Sequence, residues 1–148
     1  MKVNAKVRYG MRTMVELALA FGGKGLLQKD ISDSQEISLK YLDQIIASLK
    51  ASGLIVRIGG RKGGYSLSRN PEDISTYDIY RAFVGDISIN NCIKDEEMTA
   101  QLKFCAVIDF WDGLNEQIIK YMKSTTLYDI AEKQKKLNKK TEEFTYMI

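Results

Sequence analysis

The stretch QKDISDSQEISLKYLDQIIASLKASGLIVRIGGRKGGYSLS, residues 28–68, decides the fold. Its first part predicts a short helix over 28–34 and, after a turn, a longer helix over about 39–52. Ser38 is placed to cap the longer helix by accepting a backbone N–H bond, and Gly53 is placed to end it. The buried side of that helix is marked by apolar residues three and four positions apart: Leu42, Ile45, Ile46 and Leu49.

The second part of the stretch predicts a β-hairpin. Residues 54–58 are rich in β-branched side chains, residues 65–68 alternate as a return strand, and the glycine-rich turn 59–64 joins them. Two helices followed by a hairpin give the order of a winged helix-turn-helix. Four glycines surround Arg61 and Lys62, which we interpret as a tip whose backbone can come close to a ligand.

The flanking sequence adds helices on both sides. Residues 5–21 have an amphipathic helical pattern, and Ser75 is placed to cap a helix over 76–84. We expect a mainly α fold with a small β-hairpin wing. The winged helix-turn-helix should occupy 1–70, and a sensing loop and a long dimerisation helix should occupy 71–148. The lysine-rich residues 133–140 are expected to be a frayed tail.

A strong apolar stripe follows the loop. Its spacing predicts a long helix, and a stripe this strong in a chain of 148 residues needs a second surface. A second copy of the chain is one partner for it, and packing within the chain is the alternative. The candidate dimer residues are Phe104, Ile108, Trp111, Leu114 and Ile118.

The charge is distributed unevenly along the chain. Residues 1–69 hold 12 Lys and Arg against 5 Asp and Glu, a net charge of +7, whereas residues 70–148 hold 10 against 14, a net charge of −4. A basic half beside an acidic half indicates a localised surface for a polyanion. Chance unevenness among solvated faces is the alternative.

The exposed side of the longer helix suits the major groove of double-stranded DNA. Gln44 can pair with adenine, Asp43 can accept from cytosine N4, and Lys40 can reach guanine or phosphate. Any amphipathic helix has a polar face, so the hairpin cations are needed to favour DNA over simple solvation. The candidate DNA-binding residues are Ser38, Leu39, Lys40, Tyr41, Asp43, Gln44, Arg57, Arg61, Lys62, Lys2, Lys6 and Arg8.

Several classes of protein are disfavoured by composition. The chain has no histidine, which excludes imidazole bases and histidine metal ligands, and its two cysteines do not form a secreted-type disulfide framework. A thiol redox enzyme using Cys92 and Cys105 is disfavoured because these residues lack Cys-x-x-Cys spacing. We expect a cytoplasmic, non-enzymatic protein without a membrane segment, because the basic start is followed by an amphipathic helix and no long apolar run occurs.

Several motifs in order resemble one family. They are KVRYG at 6–10, ISLKYLDQI at 37–45, GGYSL at 63–67, residues 79–85, Cys105 with Trp111, and STTL at 124–127. Over nearly the whole chain, the sequence resembles the Rrf2 (Rrf-two) family of winged-helix transcriptional regulators. The resemblance implies a dimeric repressor or activator whose long helix pairs the subunits.

The resemblance also implies a sensing site, and this chain departs from the family there. Cluster-binding relatives typically carry three cysteines between the wing domain and the long helix, whereas this chain has Cys92 and Cys105. A histidine ligand of some relatives is replaced here by Ile108, and an acidic ligand from the first helix is replaced by Arg8. The family's iron-sulfur ligand set is therefore incomplete in this chain.

The two cysteines leave three alternatives open. They could share an iron-sulfur cluster across two subunits, form a disulfide switch, or be inert, with Cys105 as a small buried hydrophobe. A regulatory protein partner is a further alternative, because some relatives respond through a bound enzyme. The effector is left undetermined among iron-sulfur status, redox state, a metabolite and such a partner.

Overall fold

The chain folds as a helical protein with one small hairpin. The computed structural model describes residues 1–89 and 105–148. In that part the elements are α1 (Ala5–Leu19), α2 (Gln28–Gln35), α3 (Leu39–Ala51), β1 (Ile55–Arg57), β2 (Tyr65–Leu67), α4 (Thr76–Val84), α5 (Ala106–Ser124) and α6 (Leu127–Tyr146). The mainly α fold with a hairpin is as predicted. Cys92 and Phe104 lie outside the described residues, as does most of the expected sensing loop.

Helices α1 to α3 begin and end where short-range chemistry dictates. The Asn4 side chain accepts from the Val7 N–H at the start of α1, and Ser38 Oγ accepts from the Tyr41 N–H, 3.1 Å away, at the start of α3. Helix α2 ends at Glu36, which adopts a left-handed conformation with φ of 55°. The tight connection turns the chain from α2 directly into α3.

The hairpin pairs β1 with β2 in antiparallel register, with Arg57 opposite Tyr65. Close contacts within the chain explain why the turn contains Gly63 and Gly64. A Cβ at Gly63 would lie 1.5 Å from the Ile58 carbonyl oxygen, and one at Gly64 would lie 2.3 Å from the Leu26 oxygen. Because the wing packs tightly on itself and on residue 26, these glycines are required for folding. They are no longer evidence for close approach of a ligand.

One core connects α3 and the hairpin with the C-terminal half. Ile45 of α3 and Leu127 at the start of α6 are both fully buried and belong to the same cluster as Ile74 and Ile79. The backbone joins the same segments, since the Leu127 N–H donates to the Ile74 carbonyl at 2.8 Å. Apolar burial therefore ties α6 to α3 and α4. The division of the chain at residue 70 stays a prediction.

Helix α6 corrects the expectation of a frayed tail at 133–140. Its first turn is fixed by a capping box, in which Thr126 and Asp129 each accept the other's backbone N–H at 3.0–3.1 Å. The Thr126 backbone N–H and hydroxyl also lower the pKa of Asp129 below its ordinary value. Leu127 and Ala131 are buried, and the following Lys, Gln, Leu and Glu residues favour helix. The lysine-rich segment therefore continues the helix as far as Tyr146.

None of the helices within 1–89 and 105–148 combines the length and apolar character that crossing a membrane requires.

Candidate nucleic-acid interface

Helix α3 presents most of the predicted DNA-reading residues to solvent. Its buried residues are Leu42, Ile45, Ile46 and Leu49, as predicted. Tyr41 is half-buried, and the remaining candidates on and before the helix are exposed: Ser38, Leu39, Lys40, Asp43 and Gln44. The hydroxyl of Ser38 is already engaged as the helix cap. The polar groups that this face offers to a ligand are therefore those of Lys40, Asp43 and Gln44.

Asp43 has a partner that the sequence did not indicate. The Gln28 side-chain amide at the start of α2 donates to Asp43 Oδ1. This bond fixes the carboxylate from one side and leaves the other oxygen, Oδ2, for a donor such as a cytosine amino group. Gln28 therefore positions one of the predicted base-reading residues.

Tyr41 joins α3 to α1. Its ring meets the Tyr9 ring edge-on, with the centroids 5.9 Å apart and an interplanar angle of 89°. The Arg12 guanidinium lies over the Tyr9 ring, 5.5 Å from its centroid. The position of Tyr41 on α3 is thus linked through Tyr9 to a cation on α1.

The wing carries three exposed cations. Arg57 lies on β1, and Arg61 and Lys62 lie in a short 3-10 turn, Gly60–Lys62, at the tip. Arg57 and Arg61 border one shallow surface hollow of about 400 Å³. The wing therefore brings two of the predicted phosphate or minor-groove contacts to the same place.

The cations near the N-terminus differ in their exposure to solvent and in how their backbone is held. Lys2 is exposed, but its backbone is held at α4, because its N–H donates to the Tyr80 hydroxyl at 3.4 Å and its carbonyl accepts from that hydroxyl at 3.3 Å. Lys6 is half-buried and Arg8 is exposed on α1. The terminus is therefore anchored to the fold and does not trail as a free arm.

Apart from Arg69, the cations of residues 1–69 form no ion pair with another described residue. Within 1–89 and 105–148 the ion pairs are Arg69–Asp78, Arg81–Asp86 and Lys135–Glu132. In that part of the structure, every Lys and Arg before position 69 is thus available to neutralise an external anion. Neutralising phosphates with such cations is the main sequence-independent source of affinity for DNA.

Helix α5 exposes an apolar face. Trp111 and Leu114 are each 38% exposed, and further apolar residues beside them are more exposed: Val107, Phe110 and Tyr121. Ile108 is half-buried. Ile118 differs from the other predicted dimer residues because it packs within the chain, against the cluster of Val7, Tyr77, Tyr80 and Ile87. The stripe thus combines an intrachain contact at Ile118 with an uncovered apolar surface that lies mostly nearer the start of α5.

The donors for a metal cluster do not fit within the described residues. Cys105 is half-buried at the N-cap position of α5, so it is neither fully buried nor inside the helix. No group of three or more His, Cys, Asp or Glu side chains converges within 1–89 and 105–148. An iron-sulfur cluster needs about four such ligands, so the described residues of one subunit do not supply a ligand set for it.

Some residues of this region were not identified from the sequence. Gln28, Tyr9 and the start of α6 act through partners 15 or more residues away, and such pairing leaves no local periodic signal. Thr126 and Asp129 do carry a local signal, since Thr-x-x-Asp resembles a capping box.

Known proteins resemble the chain over most of its length. The family model Rrf2, described as an iron-dependent transcriptional regulator, matches residues 3–133. The HTH-type transcriptional regulator CymR of Bacillus subtilis (strain 168) is 34% identical over 131 residues, which cover 88% of this chain and 90% of that relative.

Solved structures agree with the sequence comparison. The structure of CymR, the global cysteine regulator of B. subtilis, matches with a TM-score of 0.74 and 33% identity, covering 89% of this chain and 97% of that one. IscR of T. potens matches with a TM-score of 0.71 and 31% identity, covering 90% of this chain and 88% of that one. These likenesses confirm the winged-helix fold and the prediction of a regulator in place of an enzyme. The chain belongs to the Rrf2 family of DNA-binding transcriptional regulators.

Proposed function

We propose that this protein is a homodimeric, cytoplasmic regulator that recognises a near-palindromic DNA operator. The observation that carries the proposal is the combination of an exposed α3 face with a wing whose cations form no ion pair with any described residue. Helix α3 would read bases in the major groove, and the wing would contact phosphate or the adjacent minor groove.

In this proposal each residue has a distinct role. Gln44 pairs with a base edge, Asp43 accepts from a base while Gln28 fixes its orientation, and Lys40 binds guanine or phosphate. Arg57 and Arg61 act together because they border the same hollow. Lys6 and Arg8 add phosphate contacts that fix the register without reading sequence.

Dimerisation through α5 supplies the symmetry of the operator. The uncovered apolar face around Trp111 and Leu114 supports this interface, since exposed apolar patches mark association sites. A two-fold dimer repeats the same surface on both subunits and places two copies of α3 on one duplex. Phe104 would extend the interface from a position outside the described residues.

The test is selection of bound sequences from a pool of random duplexes by the full-length protein. We expect enrichment of a near-palindrome whose half-sites are separated by whole turns of the duplex. Sedimentation of the free protein at micromolar concentration should give a dimer. Failure to enrich any sequence, or a monomer bound to a single half-site, would contradict the proposal.

A further inference from the structure

A cleft of about 400 Å³ lies between α1, α2 and α6, and none of its lining residues belongs to α3. Its size is within the range of small-molecule sites. Apolar side chains form much of its wall, namely Met11, Val15 and Leu19 from α1 and Ile130 from α6. Arg12 and Glu16 add one positive and one negative charge to the same lining.

The two charges are arranged for an external partner. Arg12 and Glu16 are one helical turn apart, which places their Cβ atoms about 5–6 Å from each other. They form no ion pair with each other or with any other residue in the described part of the chain. The Arg12 guanidinium instead lies over the face of the Tyr9 ring. A positive and a negative group thus face one cleft without neutralising each other.

Only one oxygen of the Glu16 carboxylate accepts hydrogen bonds from the described residues. Its Oε1 accepts from the Ser34 hydroxyl at 2.9 Å and from the Gln35 side-chain amide, both on α2. No donor among the described residues reaches its second oxygen, Oε2. The two bonds hold the carboxylate in place, so Oε2 is preorganised to accept from a ligand.

We propose that this cleft binds a free α-amino acid with an apolar side chain. The ligand carboxylate pairs with the Arg12 guanidinium, and its ammonium group donates to Glu16 Oε2. In an α-amino acid the ammonium nitrogen and the carboxylate carbon are bonded to the same carbon atom. The two charges are therefore close enough to meet two oppositely charged side chains that lie one helical turn apart. The apolar side chain lies against Met11, Val15 and Ile130.

Two chains of contacts lead from the cleft to α3. Arg12 lies on Tyr9, which meets Tyr41 of α3 edge-on. Glu16 holds the end of α2, and the first residue of α2, Gln28, holds Asp43. A ligand that shifts either contact changes the groups presented to DNA. This regulatory step rests on the proposed function, whereas binding of the ligand does not.

Part of the α6 wall of the cleft lies outside the region matched by the family model. Gln134 and Asn138 line the cleft, and the Gln134 amide donates to Asn138 Oδ1 at 2.8 Å. Both residues lie beyond position 133, where that match ends. Two of the residues that line the cleft therefore lie beyond the part of the chain that the family model matches.

Binding is tested by calorimetric titration of the full-length protein with L-leucine and L-methionine. N-acetyl-L-leucine lacks the ammonium group and L-leucinamide lacks the carboxylate, so each should bind at least about tenfold more weakly than leucine. These ligand controls use the wild-type protein, so they are unaffected by misfolding of a variant. Equal binding of leucine and both derivatives, or no heat at about 10 mM leucine or methionine, would overturn the proposal.

Matched variants identify the site. Glu16→Gln and Arg12→Gln should each weaken leucine binding about tenfold or more, because each removes one charge-assisted bond. Lys24→Gln and Glu36→Gln change exposed charges that do not line the cleft and should leave leucine binding unchanged. Thermal melting of each variant checks the fold. Leucine binding that is equal in Glu16→Gln, Arg12→Gln and the wild type would place the ligand elsewhere and refute the assignment.

Regulation is tested separately by operator binding with and without saturating leucine. Linkage requires that any change in operator affinity be matched by an equal change in leucine affinity on the protein-DNA complex. Leucine binding with unchanged operator affinity would refute the regulatory step and leave the site established. Leucine binding by a protein that selects no operator would refute the proposed function alone.

Discussion

Replacement of Arg61 by glutamine tests the wing, because the structure isolates what this side chain does. Arg61 is exposed at the wing tip and has no ion-pair partner among the described residues. Removing its charge should therefore leave the free energy of unfolding nearly unchanged, since surface substitutions of this kind fall within about ±0.5 kcal/mol. The effect should be confined to DNA binding.

The size of the effect follows from counterion release. A phosphate contact contributes about 0.9 to the slope of log affinity against log salt, so Arg61→Gln in both subunits lowers that slope by about 1.8. Between about 50 and 200 mM salt, the wild-type advantage should therefore shrink about twelvefold. Fluorescence anisotropy on the selected operator measures both affinities across this range.

A matched control separates this contact from general charge. Lys120→Gln removes an exposed cation from α5, in the acidic half of the chain, and should leave the salt slope unchanged. If Arg61 enters a narrow minor groove, its loss should be greatest on operators with A·T-rich flanks. Equal affinity and equal slope for wild type and Arg61→Gln, on every flank, would refute the role of the wing.

Three further predictions concern base reading, assembly and the last helix. Gln44→Ala should reduce discrimination at one or two base pairs by about 1–3 kcal/mol in competition among operator variants, and unchanged discrimination would exclude α3 as the reader. Leu114→Asp should convert the dimer to monomer in sedimentation with little loss of melting temperature. Ile118→Asp should reduce the dimer fraction and also the melting temperature, because Ile118 packs within its own chain. A Leu114→Asp protein that remains dimeric would exclude this face. Thr126→Ala should lower the free energy of unfolding by about 0.5–2 kcal/mol in urea titration, and an unchanged value would mean that the capping box adds no stability.

The order of elements was predictable because local signals and burial agree through the first half of the chain. Ser38 caps α3 and Ser75 caps α4, as the sequence indicated, and the apolar spacing of α3 matches its buried residues. The wing glycines show the limit of such reasoning. In the sequence, a glycine that is required because a Cβ would clash with the Ile58 carbonyl cannot be distinguished from a glycine that is required for contact with a ligand. Only the folded backbone distinguishes these two cases.

The charges of the candidate site could be predicted from the sequence, whereas the hydrogen bonds between its side chains could not. Exposed cations and the polar face of α3 follow from composition and period, whereas the bond from Gln28 to Asp43 depends on how α2 packs on α3. Helix α6 was missed for a related reason. Its lysine-rich stretch has the composition of a solvated tail, and what orders it is the burial of Leu127 and Ala131, a tertiary effect that overrides composition.

The position of α6 determines how the two halves of the chain can influence each other. Leu127 is fully buried in the cluster that contains Ile45 of α3, and the backbone of Thr76 donates to Thr125 at 2.9 Å. A close-packed core transmits a displacement because it has no void to absorb it. Helix α6 contacts α3 through this cluster, whereas α5 contacts the neighbouring cluster of Val7, Tyr77, Tyr80 and Ile87, and Met11 and Phe83 pack against both clusters. Operator affinity can respond to a change at α5 or at α6 without any contact between the ligand and DNA, provided that the ligand binds the two arrangements unequally.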